Sequence, residues 1–350
     1  MTDSLPAAPR ARATMRDVAA RAGVSLKTVS RVLNGEAGVA ESTAEKVQRA
    51  AEELSFQLNF GARSLRRSDG RTATLGVILE NVENPYSSAI HRAVEDVARE
   101  RGLSVLAGSL DEDPRRERAL VAAFSSRRVD GLVMMPTGTD HRYLLTERQA
   151  GTFMVFVDRS PGLIDADVVV TDNQAGAERG VQHLISAGHR RIGFLGDLLD
   201  IQTAQQRYAG YLDAMRGADL PVVQQDTVHD CTSASLTEAA VTAMMRRDDP
   251  PTAIFTAQNF VTFGALRALR HLGLQHRVAV VGFDDFALAD LLEPGVTVVA
   301  QDAAAIGRRA AERLFSRFDG DDSPYTVEVV PSRLVVRGSG EIPSPQRAAG

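Results

Sequence analysis

The sequence predicts a small all-helical N-terminal domain followed by an α/β core built of two doubly wound lobes. Three observations carry this expectation. Between Thr14 and Leu54, apolar residues recur at the three- and four-residue spacing of buried helical stripes. From Thr74 onward, short continuous apolar runs alternate with amphipathic helical stretches, the signature of parallel sheets covered on both faces. About nine such runs exceed one comfortable sheet, which divides the core in two. At 350 residues the chain has ample length for several domains.

Taken in order, Met1 to Ala13 is polar and rich in Ala, Pro and Arg, and reads as a disordered leader without the apolar stretch of a signal peptide. Thr14 can cap a first helix, with Asp17 in capping-box position and Val18, Ala19 and Ala22 on one face. Gly23 follows where the backbone must reverse. Ser25 can cap a second helix whose Val29, Val32 and Leu33 face back on the first. Two short helices joined by a tight turn have the build of a helix-turn-helix, whose second helix enters the DNA major groove. Its exposed residues Leu26, Lys27, Thr28, Ser30 and Arg31 suit base edges and phosphates, whereas an ordinary helical hairpin would use the same pattern for a core. Ser42-Thr-Ala-Glu45 reads as a capping box opening a third helix, with Val47, Ala50, Ala51 and Leu54 buried. The domain is expected over 14–58.

Residues 59–71 carry Arg63, Arg66 and Arg67 around Leu65. On DNA the arginines can pair with phosphates while Leu65 wedges between base steps; taken alone, the stretch is a solvated basic linker. Strands are expected at Leu75–Leu79, Ser104–Ala107, Gly131–Met135, Phe153–Val157, Val168–Thr171, Ile192–Leu195, Ala253–Thr256, Val278–Gly282 and Val296–Ala300, with helices between most of them. The tail 338–350, with Pro343 and Pro345, reads as disordered. Ligands of such lobes sit at the C-terminal strand ends, in the cleft.

Charge is distributed unevenly. Residues 1–71 hold 12 Lys and Arg against 8 Asp and Glu, a surplus of +4, which leaves −9 for the rest of a chain of net charge −5. A basic head on an acidic body suits a DNA-reading module attached to something else. The single cysteine, Cys231, cannot form an intrachain disulfide, and no apolar run approaches the length of a membrane span. A cytoplasmic, nucleoid-associated protein is expected, with no membrane partner. The usual dinucleotide, phosphate-loop and nucleophile-elbow motifs are missing and the histidines show no metal spacing, so neither an enzyme, a cofactor nor a metal site is expected.

Further marks are spread along the chain: Asp17-Val-Ala-Ala-Arg-Ala-Gly-Val-Ser25, Thr28-Val-Ser-Arg-Val-Leu-Asn34, Asn84-Pro-Tyr86, Arg128-Val-Asp-Gly131, Val157-Asp-Arg159, His183-Leu-Ile-Ser-Ala-Gly-His-Arg-Arg-Ile-Gly193, Arg207-Tyr-Ala-Gly210 and Val281-Gly-Phe-Asp-Asp285. In this order and spacing the chain resembles the LacI/GalR family of bacterial transcription regulators from about Met15 to Arg337. The resemblance implies a homodimer reading a pseudo-palindromic operator in double-stranded DNA, most often as a repressor, under allosteric control of a small-molecule effector. Leu26, Lys27 and Arg31 stand at the family's base-reading positions, and Leu65 at its intercalating hinge leucine. Ser25, Thr28, Ser30, Asn34, Asn59, Arg63 and Arg66 are the further DNA-contact candidates.

The resemblance also implies a periplasmic-binding-protein-like core over 72–337. Lobe 1 is expected over about 72–165 and 301–323, and lobe 2 over about 166–300 and 324–337. The family's sugar-contacting positions fall on Asp158, Thr203, Arg207, Asp284 and Gln301, a set whose carboxylates and guanidinium suit a sugar or related polyol. Tyr86 offers an aromatic wall. Asp172, Asp285 and the pair Asp158–Arg159 also fit structural caps and ion pairs. This chain has Gln258-Asn259 where many members have Asn-Asp, and Gln258 joins the effector candidates. No aromatic stands near Asp230–Thr232, and the family's tetramerising leucine heptads are missing from the tail, which favours a dimer. An extracytoplasmic sugar-binding protein of the same fold is the other reading, and it has no use for a helix-turn-helix.

Overall fold

The computed structural model describes residues 13–33, 36–56 and 71–345. Two compact units divide the chain, residues 1–72 and 73–350. Asn34, Asn59, Arg63, Leu65 and Arg66, almost all of the leader and the end of the tail lie outside the described residues.

In the first unit, α1 (Met15–Ala22) starts at Thr14, whose Oγ1 accepts the Asp17 N–H at 3.4 Å while its own N–H donates to the Asp17 carboxylate at 2.7 Å. Gly23 ends the helix in the left-handed region at φ 68°, a conformation that costs glycine least. α2 (Leu26–Leu33) begins with the Ser25 Oγ accepting the Thr28 N–H at 3.1 Å. Val18, Val29 and Val47 are wholly buried and form the centre of the bundle with Ala19, Ala50 and Ala51. α3 (Glu41–Glu53) departs from the expected start: the N–H groups of Thr43 and Ala44 already donate to the Ala40 carbonyl, so Ser42 lies inside the first turn and caps nothing.

The second unit runs β1 (Thr74–Leu79), α4 (Pro85–Glu100), β2 (Ser104–Ser109), α5 (Pro114–Ser126), β3 (Gly131–Met134), α6 (Leu144–Gln149), β4 (Phe153–Val157) and β5 (Asp167–Thr171). It continues with α7 (Asn173–Ser186), β6 (Ile192–Leu195), α8 (Gln202–Gly217), β7 (Thr227–Val228), α9 (Ala234–Met245), β8 (Ala253–Thr256), α10 (Asn259–His271), β9 (Ala279–Phe283) and β10 (Thr297–Ala300). It closes with α11 (Ala303–Phe318), β11 (Val327–Val330) and β12 (Arg333–Val335). Two six-stranded sheets result, ordered β11-β5-β4-β3-β1-β2 and β12-β10-β9-β8-β6-β7. Leaving out β11 and β12, the order of the other five strands of one repeats in the other. Every neighbour is parallel except the β10–β12 pair. Helices cover both faces, which is why β1, β3, β4, β6, β8 and β9 are buried nearly end to end.

Two of the three crossings between the lobes fall later in the chain than the sequence suggested, while the crossing after Ala300 falls where it was expected. β5 and β11 both belong to the first sheet, paired Val327↔Val168 through Val330↔Thr171, so residues 166–171 and 324–330 leave the expected second lobe. Asp167 fixes this arrangement, accepting from Arg317 Nε at 2.8 Å and from the Thr326 N–H at 3.1 Å. The tail also enters the second lobe: Gly338–Gly340 form a 3-10 turn, and the buried Ser339 Oγ donates to the Val280 carbonyl at 2.7 Å and accepts the Thr297 N–H at 2.9 Å.

Two glycines set the helices that carry the cleft. At Gly307 of α11 a Cβ would lie 2.5 Å from the Ile90 carbonyl oxygen of α4, and at Gly210 of α8 a Cβ would lie 2.1 Å from the Gln174 carbonyl oxygen of α7. Neither position admits a larger side chain without separating the helices. Among the described residues no helix is long and apolar enough to cross a membrane.

Candidate functional site

The strand order of each sheet reverses direction beside β1 and β6, and the loops after the strands there face each other across the lobes. Glu80 follows β1, Met135 follows β3, Asp158 follows β4, Asp197 lies just beyond β6, Ala257 follows β8 and Asp284 follows β9. All six line one cleft with Asn84, Tyr86, Glu112, Arg159, Thr203, Arg207 and Gln258. Asp158 and Asp284 occupy equivalent places. Both have positive φ, 69° and 74°, and both donate their N–H to the next strand, to the Val169 and Val299 carbonyls.

Arg207 projects from α8 and is almost fully buried. Its Nε donates to Asn173 Oδ1 at 2.8 Å, one terminal nitrogen donates to the Ala257 carbonyl at 2.7 Å, and the guanidinium lies 4.0 Å over the Phe283 ring. These partners are neutral; among the described residues the carboxylate that pairs with it is Asp284, at 3.7 Å. Asp284 accepts from Gln301 Nε2 at 2.6 Å. Burial pushes the Asp284 carboxyl above the usual carboxylate range, and Arg207 and Gln301 only partly offset that.

The first-lobe wall is built differently. Arg159 donates two bonds to Glu112, at 2.6 and 2.7 Å, and a third to Asp158 at 3.1 Å. Glu112 also accepts from Thr137 Oγ1 at 3.0 Å. Glu80, with Asn84 Nδ2 donating at 3.1 Å, is pushed up to about 7 by burial and by the Glu112 charge. The Tyr86 ring is buried, and its hydroxyl meets no hydrogen-bond partner of good geometry among the described residues. Burial and the charges of Asp158 and Asp284 hold that hydroxyl protonated far above its ordinary range.

Hydrogen bonds join the lobes directly: the Ser160 N–H after β4 donates to Gln202 Oε1 of α8 at 2.9 Å, and a second bond is buried. Asn259 Nδ2 at the start of α10 donates to Asn84 Oδ1 at 2.7 Å, and both side chains are buried. Beside it, Gln258 caps α10 by accepting the Phe260 N–H at 3.1 Å and donates to Asp197 at 3.1 Å.

Of the residues singled out in the sequence, Tyr86, Asp158, Thr203, Arg207, Gln258 and Asp284 line the cleft. Gln301 does not; it holds Asp284 in place, and its Oε1 is buried without a partner among the described residues. Asp172 and Asp285 are structural, binding Arg179 and the Ser332 N–H in one case and Arg337 in the other. Glu80, Glu112 and Asp197 went unremarked in the sequence. Their signal was available: each is an acidic residue shortly after a strand of a parallel sheet.

On the N-terminal unit, Ser25, Leu26 and Lys27 are exposed, while Thr28, Ser30 and Arg31 are half-buried. Arg31 turns back, donating to the Ala37 carbonyl at 2.8 Å with Glu36 3.6 Å away.

Residues 14–59 match the family described as bacterial regulatory proteins, lacI family, and residues 181–340 match a periplasmic binding protein-like domain. A curated relative, the HTH-type transcriptional regulator PtxS of Pseudomonas aeruginosa, is 34% identical over 94% of this chain and 96% of its own. The chain belongs to the LacI family. It is therefore a DNA-binding transcription regulator with a helix-turn-helix ahead of a periplasmic-binding-protein-like core. Among solved structures, a lac repressor dimer bound to operator and the anti-inducer ONPF has a TM-score of 0.81 at 26% identity, over 94% of this chain and 99% of that one. A complex of the transcriptional regulator CelR with cellobiose has a TM-score of 0.70 at 30% identity, over 94% and 100%.

Proposed function

We propose that this LacI-family protein is a repressor that binds a pseudo-palindromic operator as a homodimer and is controlled by a small polar effector, a sugar or sugar derivative, in the interlobe cleft. The observation that carries the reading is the cleft itself. Buried carboxylates, amides and a hydroxyl from both lobes surround a guanidinium whose own partners are mostly neutral, a donor and acceptor set suited to vicinal hydroxyls. The similarity to an operator-bound repressor dimer and to a cellobiose complex supports it.

On DNA, the exposed Leu26 and Lys27 lead the base-reading set. Arg31 joins them by exchanging Ala37 and Glu36 for acceptors on a base. The hinge residues Arg63, Leu65 and Arg66 complete the reading as phosphate contacts and minor-groove wedge. Effector binding acts by favouring one arrangement of the lobes, to which the two DNA modules of the dimer are coupled.

Arg207→Ala tests this. Operator affinity, read by fluorescence anisotropy on a labelled operator, should stay within about threefold of the parent protein, a change of less than 1 kcal/mol. The effector-dependent change in that affinity should disappear. A retained response would place the effector elsewhere.

A further inference from the structure

The cleft carries far more negative charge than a neutral polyol needs. Its lining has five carboxylates, on Glu80, Glu112, Asp158, Asp197 and Asp284, against two guanidiniums, on Arg159 and Arg207. Arg159 is committed to Glu112 and Asp158 in a closed ion cluster. Glu80, Asp197 and Asp284 are left with amides as their hydrogen-bond donors: Asn84 for the first, Gln258 and the Leu198 N–H for the second, Gln301 for the third. Asp284 has the Arg207 guanidinium at 3.7 Å, and Glu80 and Asp197 feel the charge of Arg159, whose own hydrogen bonds go to Glu112 and Asp158. Carboxylates withdrawn from water with too little countercharge are expensive, and their affinity for protons rises, as burial raises it at all three.

The Tyr86 hydroxyl adds to this reading. The residue is only 8% exposed and lines the cleft, and its hydroxyl lies within reach of Asp158 alone, without a well-formed hydrogen bond among the described residues. A metal ion does not account for the charge, because among the described residues no three His, Cys, Asp or Glu side chains converge closely enough to hold one. The negative groups are instead spread over both walls, interleaved with Thr203, Gln258 and Asn84. Such a lining matches a molecule that carries hydroxyls along its length and a positive charge at one place.

We infer that the effector is a small polyhydroxylated organic cation, a protonated amine on a sugar or cyclitol frame. The inference rests on the reading of the cleft as the effector site and narrows its ligand class. Carboxylated and phosphorylated sugars meet a net negative wall and are disfavoured; a single ammonium group offsets part of the surplus shared by Glu80, Asp197 and Asp284, while the hydroxyls use the remaining amides and Tyr86.

The test is calorimetric titration of the full-length protein at neutral pH with matched sets. Glucosamine, galactosamine, mannosamine and an aminocyclitol are compared with the parent hexoses, the N-acetylated amines and the uronic acids. A free amine should bind at least about tenfold more tightly than its parent and its N-acetyl form, and the acids should not bind. In the isosteric double variant Glu80→Gln/Asp197→Asn that preference should narrow to within about threefold. A parent sugar or acid that binds as well as the amine overturns the inference. If Arg207→Ala abolishes that binding, the cleft still stands as the effector site. If Arg207→Ala leaves it unchanged, the reading of the cleft falls too. Absence of binding by every amine at about 10 mM also overturns the inference, and the operator-release assay then judges the cleft separately.

Discussion

The two walls of the cleft hold equivalent carboxylates in equivalent backbone positions, and surround them differently. Asp158 sits in an ion cluster whose charges largely answer one another, with Arg159 between it and Glu112. Asp284 sits opposite a guanidinium oriented by an amide, a carbonyl and an aromatic ring, with Gln301 behind it. The first wall is braced by charge pairing. The second keeps one cation positioned by neutral groups, so its charge remains open to a ligand. Two copies of one strand arrangement thus hold their carboxylates differently: the first by a charge-paired cluster, the second against a cation set by neutral groups.

This contrast can be broken experimentally. The largest effect is expected from Arg159→Met, which leaves the buried Asp158 and the half-buried Glu112 without their cation. A loss of about 3–5 kcal/mol in unfolding free energy follows from stripping one member of a buried ion cluster, measured by urea unfolding. A loss below about 1 kcal/mol would mean that the first wall is not held by charge pairing.

A smaller effect, of opposite sign, is expected at Glu80. Its folded carboxyl titrates at about 7, above the ordinary 4.5, so its ionised form is the less stable one in the folded protein. The penalty is absent at low pH, grows as pH rises through that interval and is complete above it. Glu80→Gln should therefore stabilise the protein by roughly 1–3 kcal/mol at pH 8 and by little at pH 5. Thermal melts at the two pH values check it; an equal shift at both would remove the electrostatic explanation.

The smallest effect concerns the buried bond between the walls. A double-mutant cycle on Asn84→Ala and Asn259→Ala should give a coupling of about 0.5–1.5 kcal/mol, the scale of one buried neutral hydrogen bond. A coupling indistinguishable from zero would show that the lobes do not gain from this contact.

Much of this architecture was legible beforehand. Strands buried on both faces are written as unbroken apolar runs, so Gly131–Met134 and Phe153–Val157 announce themselves. The helix-turn-helix was readable because Thr14, Gly23 and Ser25 each do local work that depends on their immediate neighbours. β11 was placed in the wrong lobe because Val327 and Val329 lie on an exposed edge strand, where composition does not say which sheet is joined. Ser42 was misread because a capping residue and a first-turn residue look alike until the chain's entry into the helix is known.

By itself, then, the sequence determined the elements, their alternation, the local caps and the residue types available at the strand ends, all matters of short-range spacing. The tertiary structure alone decided which of those ends meet. Glu80, Glu112 and Asp197 are unremarkable acidic residues after apolar runs; stacking parallel strands and facing one lobe with another brings them around Arg207. Charge acts through space, and burial sets its strength. The chemistry of the cleft therefore exists only once residues far apart in the chain share one cleft.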